Sequence, residues 1–190
     1  MASFRVHRPV LLITAVFSRY EEAFAWAKAR CERDWGPVEL ESERFEHADT
    51  QYYEKTMGPG ILKSFYAFRN LVDPARLLAC KHESNQWEEE CRDARAWPEP
   101  RPLNLDPGYI TEAKLVLAST KDRDHRLYLG DGVFAEQTLF YQHGAWRPRE
   151  WTYPDYRRAD YHQFFVRCRD YLRKRYAAGD ERSDDPVAGR

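Results

Sequence analysis

The chain's first clear pattern is an unbroken apolar run, residues 9–17 (PVLLITAVF), with polar residues on both sides. A run of that length without alternation predicts a central strand buried on both faces. Apolar positions then recur at helical spacing, at Tyr20, Phe24, Ala27 and Cys31. Ser18-Arg19-Tyr20-Glu21 has capping-box spacing ahead of them, so a helix is expected over 19–34, ended by Gly36. Alternation returns in residues 37–45 (PVELESERF), which predicts a strand. Residues 49–60 (DTQYYEKTMGPG) read as an irregular loop, and residues 63–68 (KSFYAF) as the next strand. Asp73-Pro74 has the signature of a helix start, and that helix should reach about Asp93. Leu77, Leu78 and Trp87 give it an apolar side. Lys81, Asn85 and Glu88 fall at i, i+4 and i+7 and form a polar stripe. Three prolines mark residues 94–103 as a connector.

With residues 103–110 as a closing strand, the order is strand, helix, strand, strand, helix, strand. That is the βαββαβ pattern of ferredoxin-like domains. Three more strands follow in residues 114–120 (KLVLAST), 125–129 (HRLYL) and 134–141 (FAEQTLFY). Gly130-Asp131-Gly132 predicts a hairpin between the last two. Prolines exclude residues 146–156 (WRPREWTYPDY) from a central strand, so this stretch should wrap the sheet edge. Tyr161, Phe164, Phe165, Cys168 and Leu172 share one face of a helix over 161–176. The fold class is therefore α+β: a ferredoxin-like core, an added antiparallel extension and a C-terminal amphipathic helix. Residues 1–176 form one domain in this reading, and 177–190 a disordered tail.

Composition narrows the function. The 190 residues carry 30 Lys+Arg and 31 Asp+Glu, a formal net charge of −1, so a globally basic nucleic-acid binder is not indicated. Locally, residues 144–176 hold nine basic and four acidic side chains, and aromatics interleave with arginines in WRPREWTYPDYRR. An RNA-binding face there is the alternative reading. The four cysteines form no C-x-x-C pair and read as reduced core residues. With no signal peptide and no run long enough to span a bilayer, the expectation is a cytoplasmic protein without a membrane partner.

Several blocks combine polar residues in fixed order: TQYYEKTMGPG, the Lys81/Asn85/Glu88 helix, NLDPGYITEAKLVLASTKDRDHRLYLGDGVFAEQTLFY and WTYPDY. On these blocks, which cover most of residues 9–176, the chain resembles the bacterial domain of unknown function 4416 family. The resemblance implies a cytosolic bacterial protein and supplies no activity. A GTP-binding reading finds no G-x-x-x-x-G-K-[ST]. Thr120-Lys121-Asp122-Arg123 follows a strand as a guanine-reading T-K-x-D would, but ends in Arg.

The candidate site is read from polar residues placed among apolar ones. Lys114 and Glu136 sit in neighbouring strands with apolar flanks and are expected to approach each other as a costly buried pair. Together with His125, a possible general acid or base, they are the candidate catalytic residues. Lys81, Asn85, Glu88, Asn104, Asp106, Lys121 and Arg126 are the candidate ligand-binding residues, since Lys, His and Arg together suit a phosphate or carboxylate. The bland readings are a solvated helix face for the stripe, an Asx turn at Asp106-Pro107-Gly108, and a solvated turn at 121–126. No metal site is assigned, because two carboxylates and one His in a loop are a weak signal. No cofactor is named. The leading expectation is a small phosphorylated or carboxylated ligand; a ligand-free interaction domain is a further alternative.

Overall fold

A computed structural model describes residues 7–47 and 53–180. The chain runs through β1 (Val10–Ser18), α1 (Glu21–Trp35), β2 (Val38–Glu41), β3 (Phe45–Glu46), α2 (Glu54–Met57), β4 (Leu62–Val72), α3 (Arg76–Asp93) and β5 (Asn104–Ile110). It continues through β6 (Lys114–Ser119), β7 (Leu127–Gly130), β8 (Val133–Gln142), β9 (Ala145–Pro148), a 3-10 turn (Asp155–Arg157) and α4 (Ala159–Ala177). The mixed helix and strand content and the antiparallel sheet make it an α+β protein. The strand order is β2-β4-β1-β5-β6-β8-β7, with β3 beside β4 and β9 beside β8. Every pairing is antiparallel.

Helices on both faces explain the continuous apolar strands. Leu11, Ile13, Ala15 and Phe17 of β1 join Phe65 and Ala67 of β4 and the Tyr161, Phe164, Phe165, Cys168, Leu172 face of α4. Val10, Leu12 and Val16 point the other way, against Phe24 and Cys31 of α1 and Cys80 and Trp87 of α3. Both central strands are thus covered twice, and their alternation is between two buried layers rather than core and water. The four cysteines are free and buried. No helix among the described residues is long and apolar enough to cross a membrane.

Local chemistry shifts some boundaries. Ser18 ends β1 instead of capping α1; its hydroxyl accepts from the Tyr20 amide at 3.0 Å and donates to the Pro102 carbonyl. Gly36 ends α1 at φ +96°, where a Cβ would meet the Asn70 amide. The single strand expected over 37–45 breaks at Ser42, whose hydroxyl accepts from the Phe65 amide at 2.9 Å. Part of the loop expected over 49–60 is the short helix α2, and residues 49–52 lie outside the described residues. Asp131 (φ +45°) and Gly132 (φ +76°) form the expected hairpin turn of type I′, and His143-Gly144 makes a second one between β8 and β9. Of the expected tail, residues 181–190 lie outside the described residues, and Ala177 closes α4.

Beyond β9 the chain crosses the α4 face as a strap, residues 149–157. Its anchor is Asp155, whose carboxylate accepts from the Lys63 ammonium of β4 at 2.6 Å. Lys63 is 0 % exposed. The rings of Tyr156, Phe17, Phe65 and Tyr161 surround its Nζ at 3.9–5.1 Å. Burial pulls the ammonium below the usual lysine range, and Asp155 and Asp106 oppose that pull. Replacing Asp155 by Ala would leave a buried cation with no carboxylate. We expect Asp155→Ala to cost about 3–5 kcal/mol, and Lys63→Met combined with Asp155→Leu to recover most of it. Denaturant unfolding of the two variants checks this.

Candidate functional site

β5 pairs with β1 along its whole length but with β6 only over Gly108–Ile110. The outward backbone groups at its N-terminal end therefore need other partners. Side chains of α3 supply them. The Leu105 amide donates to Glu88 Oε1 at 2.8 Å, and the Leu105 carbonyl accepts from Lys81 Nζ at 3.3 Å. By alternation Pro107 faces the same side, where its missing N–H leaves nothing unsatisfied. The ladder resumes at Gly108, where a Cβ would lie 2.4 Å from the Val116 carbonyl oxygen, so only glycine lets β6 close in.

Five polar side chains gather at this open seam. Lys81 Nζ lies 3.4 Å from Asp106 Oδ1, and the Asn104 amide donates to Asp106 Oδ2 at 3.0 Å. Arg101 donates to Glu88 Oε2 at 2.8 Å and also to Asn104 Oδ1. The two carboxyls move in opposite directions. Burial raises Glu88 above its usual range against the pull of Arg101, Lys81 and the Leu105 amide. Burial works the same way on Asp106, but Lys81, the Asn104 amide, Lys63 and Arg101 outweigh it and hold Asp106 low. The Arg101 and Asp106 side chains remain 37 % and 28 % exposed. Asn85 is half-buried on the same helix face; its side chain has no hydrogen bond among the described residues.

A second cluster forms between β6 and β8. Arg126 is buried and spends its whole guanidinium: on Glu136 at 2.9 Å, Ser119 Oγ at 2.8 Å, the Lys121 carbonyl at 2.8 Å and the Tyr153 hydroxyl at 2.9 Å. Glu136 also accepts from Thr138 at 3.3 Å, and His125 Nε2 lies 3.2 Å from it. The His125 ring stacks on Trp151 at 5.2 Å between centroids, and its Nδ1 is 3.1 Å from Asp124. Asp124, His125, Glu150 and Trp151 line a shallow depression here. Tyr53 lies beside the seam, with Arg101 5.9 Å from its ring centre. Burial raises its hydroxyl first, then the charges of Asp106, Tyr153 and Asp155, with Arg101 opposing.

Most of the expected site residues thus fall into two groups, with Lys81, Glu88, Asn104 and Asp106 at the seam and His125, Arg126 and Glu136 beyond it. Lys121 is exposed and contributes its backbone. The Lys114–Glu136 pair does not form. Lys114 lies opposite Phe140 and Glu136 opposite Leu117, with a bulge in β8 between them. The bulge at Thr138 inserts one residue and reverses the alternation. Glu136 therefore shares a face with Leu117, in the α4-side core, while Lys114 has the parity of Val116 and Ala118 on the α3 side. Sequence reasoning missed Arg101, Lys63 and Asp155. Lys63 carried the same signal as Lys114, a lone lysine in an apolar strand. Among the described residues no cluster of three or more His, Cys, Asp or Glu could hold a metal ion.

Together these features define an antiparallel α+β protein with paired ionic side chains gathered along one end of its sheet. The chain belongs to the family described as Domain of unknown function (DUF4416), which matches residues 8–171. No curated protein and no solved structure matches it.

Two measurements follow from the geometry. A double-mutant cycle on Arg126→Met and Glu136→Gln should give a coupling above about 1.5 kcal/mol, whereas Lys114→Met and Glu136→Gln should couple by less than about 0.5 kcal/mol. The second concerns pH. Asp106 is held below its unfolded value of about 3.9, so its contribution is present above that pH and lost as pH falls through the folded value. Asp106→Asn should cost about 1–3 kcal/mol at pH 7. In urea melts the gap between parent and variant should close as pH drops below about 4.

Proposed function

We propose that the protein binds a small ligand carrying a phosphate or carboxylate at the open seam beside β5, with Arg101 and Lys81 as the cations that meet it. One observation carries this reading: side chains from α3, the connector and β5 converge where the sheet is left unpaired, with Arg101 and Asp106 still open to solvent. Paired buried charges add little stability over a well-packed apolar set, so their concentration at one open place favours a functional role. The Arg101 fork suits a planar or tetrahedral anion, and Glu88 and Asn104 hold it in place beforehand. Glu88 already accepts on both oxygens, from the Leu105 amide and from Arg101, so its part is to position the site.

Within this reading the core is ferredoxin-like. The order β2-β4-β1-β5, all antiparallel, with α1 and α3 packed on one face, supports that assignment. The RNA alternative on residues 144–176 gains less support. Arg157 is engaged by the Thr152, Arg149 and Glu150 carbonyls, and Arg158 by Asp160 and the Glu46 carbonyl.

Thermal melts against nucleotides, phosphosugars and dicarboxylates test the proposal. A ligand at a hundredfold excess over its Kd should stabilise the parent by about 2.7 kcal/mol. Arg101→Met should abolish that shift while the empty variant still melts cooperatively. A panel with no effect on the parent, or an undiminished shift in Arg101→Met, would refute the site.

A further inference from the structure

We propose, resting on the seam reading above, that the anion bound there carries a hydroxyl group, as in a sugar phosphate or a hydroxy acid, and that this hydroxyl sits between Tyr156 and Asp106. Tyr156 is held in place by everything except its own hydroxyl. Its amide donates to Asp155 Oδ1 at 3.0 Å, and its carbonyl accepts from His162 Nε2 at 2.8 Å. Its ring lies parallel to Phe165 at 6.1 Å between centroids, meets Phe65 edge-on at 5.9 Å and has the Lys63 ammonium 3.9 Å from its centre. A phenylalanine would make all three ring contacts. The residue is 3 % exposed, and its hydroxyl has no hydrogen-bond partner among the described residues. A buried hydroxyl without a partner costs stability, so packing gives no reason for it.

The sheet register brings Asp106 to the same side. Phe65, Ala15 and Asp106 stand opposite one another across β4, β1 and β5, so all three side chains point to the α4 side, where Tyr156 packs. Alanine in the middle of that row leaves no bulky side chain between the Phe65 ring and the carboxylate. Burial pushes the Tyr156 hydroxyl well above the usual tyrosine range, and the charges of Asp155 and Asp106 push it further. It therefore stays protonated, as a donor. Asp106 is held low and is an acceptor only. One donor meets each of its oxygens, from Lys81 and from Asn104, and a carboxylate oxygen can accept a second.

The ligand chemistry follows from that pairing of donor and acceptor. A hydroxyl is a small neutral group that accepts from Tyr156 and donates to Asp106 at once. A second anion would be repelled by Asp106, whereas the first meets its counter-charge at Arg101.

Titration calorimetry of the full chain with paired probes tests this: glycerol 3-phosphate against propyl phosphate, and glycerate against propionate. Members of a pair differ in hydroxyls alone, and the two pairs separate phosphate from carboxylate recognition. In the parent, the hydroxylated member of at least one pair should bind about tenfold or more tightly than its partner. Tyr156→Phe should reduce that preference about fivefold or more, the worth of one hydrogen bond. The empty variant should melt no lower than the parent, because only an unpartnered hydroxyl is lost. Equal affinities within both pairs in the parent, or a preference that survives Tyr156→Phe, overturn the proposal while the seam reading stands. A parent that binds none of the four probes overturns it too. So does a variant that melts well below the parent, since the hydroxyl would then be a structural group. The seam reading is judged apart, by the broader ligand panel and by Arg101→Met.

Discussion

The ion pair between Lys63 and Asp155 fixes how the two halves of this protein meet. Lys63 stands on β4, beside the central strand β1, and Asp155 stands on the strap that precedes α4. A lysine buried to 0 % exposure cannot remain charged without a carboxylate, and a carboxylate on a strap has many other places to be. Only one placement of the strap satisfies both. Once it is adopted, Trp151 Nε1 reaches the Gln137 carbonyl, Thr152 reaches the Thr138 carbonyl at 2.6 Å, and Tyr153 meets Arg126. The block WTYPDY is therefore a row of anchors: Trp151 and Thr152 hold carbonyls of β8, Tyr153 meets Arg126, and Asp155 and Tyr156 both meet Lys63.

Much of the architecture was legible because hydrophobic periodicity reports burial, and burial decides these strands. The run at 9–17 is doubly covered, as its lack of alternation implies, and Tyr161, Phe164, Phe165, Cys168 and Leu172 do form the buried face of α4. The turn at Asp131-Gly132 was readable from its need for positive φ. Other features are set by long-range partners that no local window contains. Ser18 does not cap α1: it ends β1, where its hydroxyl accepts from the Tyr20 amide and donates to the Pro102 carbonyl, distant in sequence. The polar stripe of α3 turns to the sheet: Lys81 and Glu88 replace missing ladder bonds of β5.

The failure over Lys114 and Glu136 has one cause, a single inserted residue. Strict alternation along residues 134–141 places Glu136 and Phe140 on one face, and Lys114 opposite Phe140 would then share it. The bulge at Thr138 breaks that chain of inference in the middle. Nothing in FAEQTLFY announces the bulge, because it depends on Thr152 arriving to take the Thr138 carbonyl. The identification of Glu136 as a buried charge needing a cation was sound; the cation is Arg126, its close neighbour in sequence across the hairpin.

Both clusters stand where the β-ladder is interrupted, and this is what joins the fold to its chemistry. At the seam, β6 diverges below Gly108 and frees the Leu105 amide and carbonyl. At the bulge, β8 frees the Gln137 and Thr138 carbonyls. Uninterrupted strands would have satisfied these groups with backbone alone. Instead the chain brings in Glu88, Lys81, Trp151 and Thr152, and each interruption becomes a place where polar side chains are held rigidly against a sheet. The two differ in one respect that bears on function. At the bulge the central guanidinium, Arg126, is buried and fully spent. At the seam Arg101 and Asp106 keep a solvent-facing side, which the proposed anion site requires. The seam is thus the part of the ionic array that is organised yet still reachable.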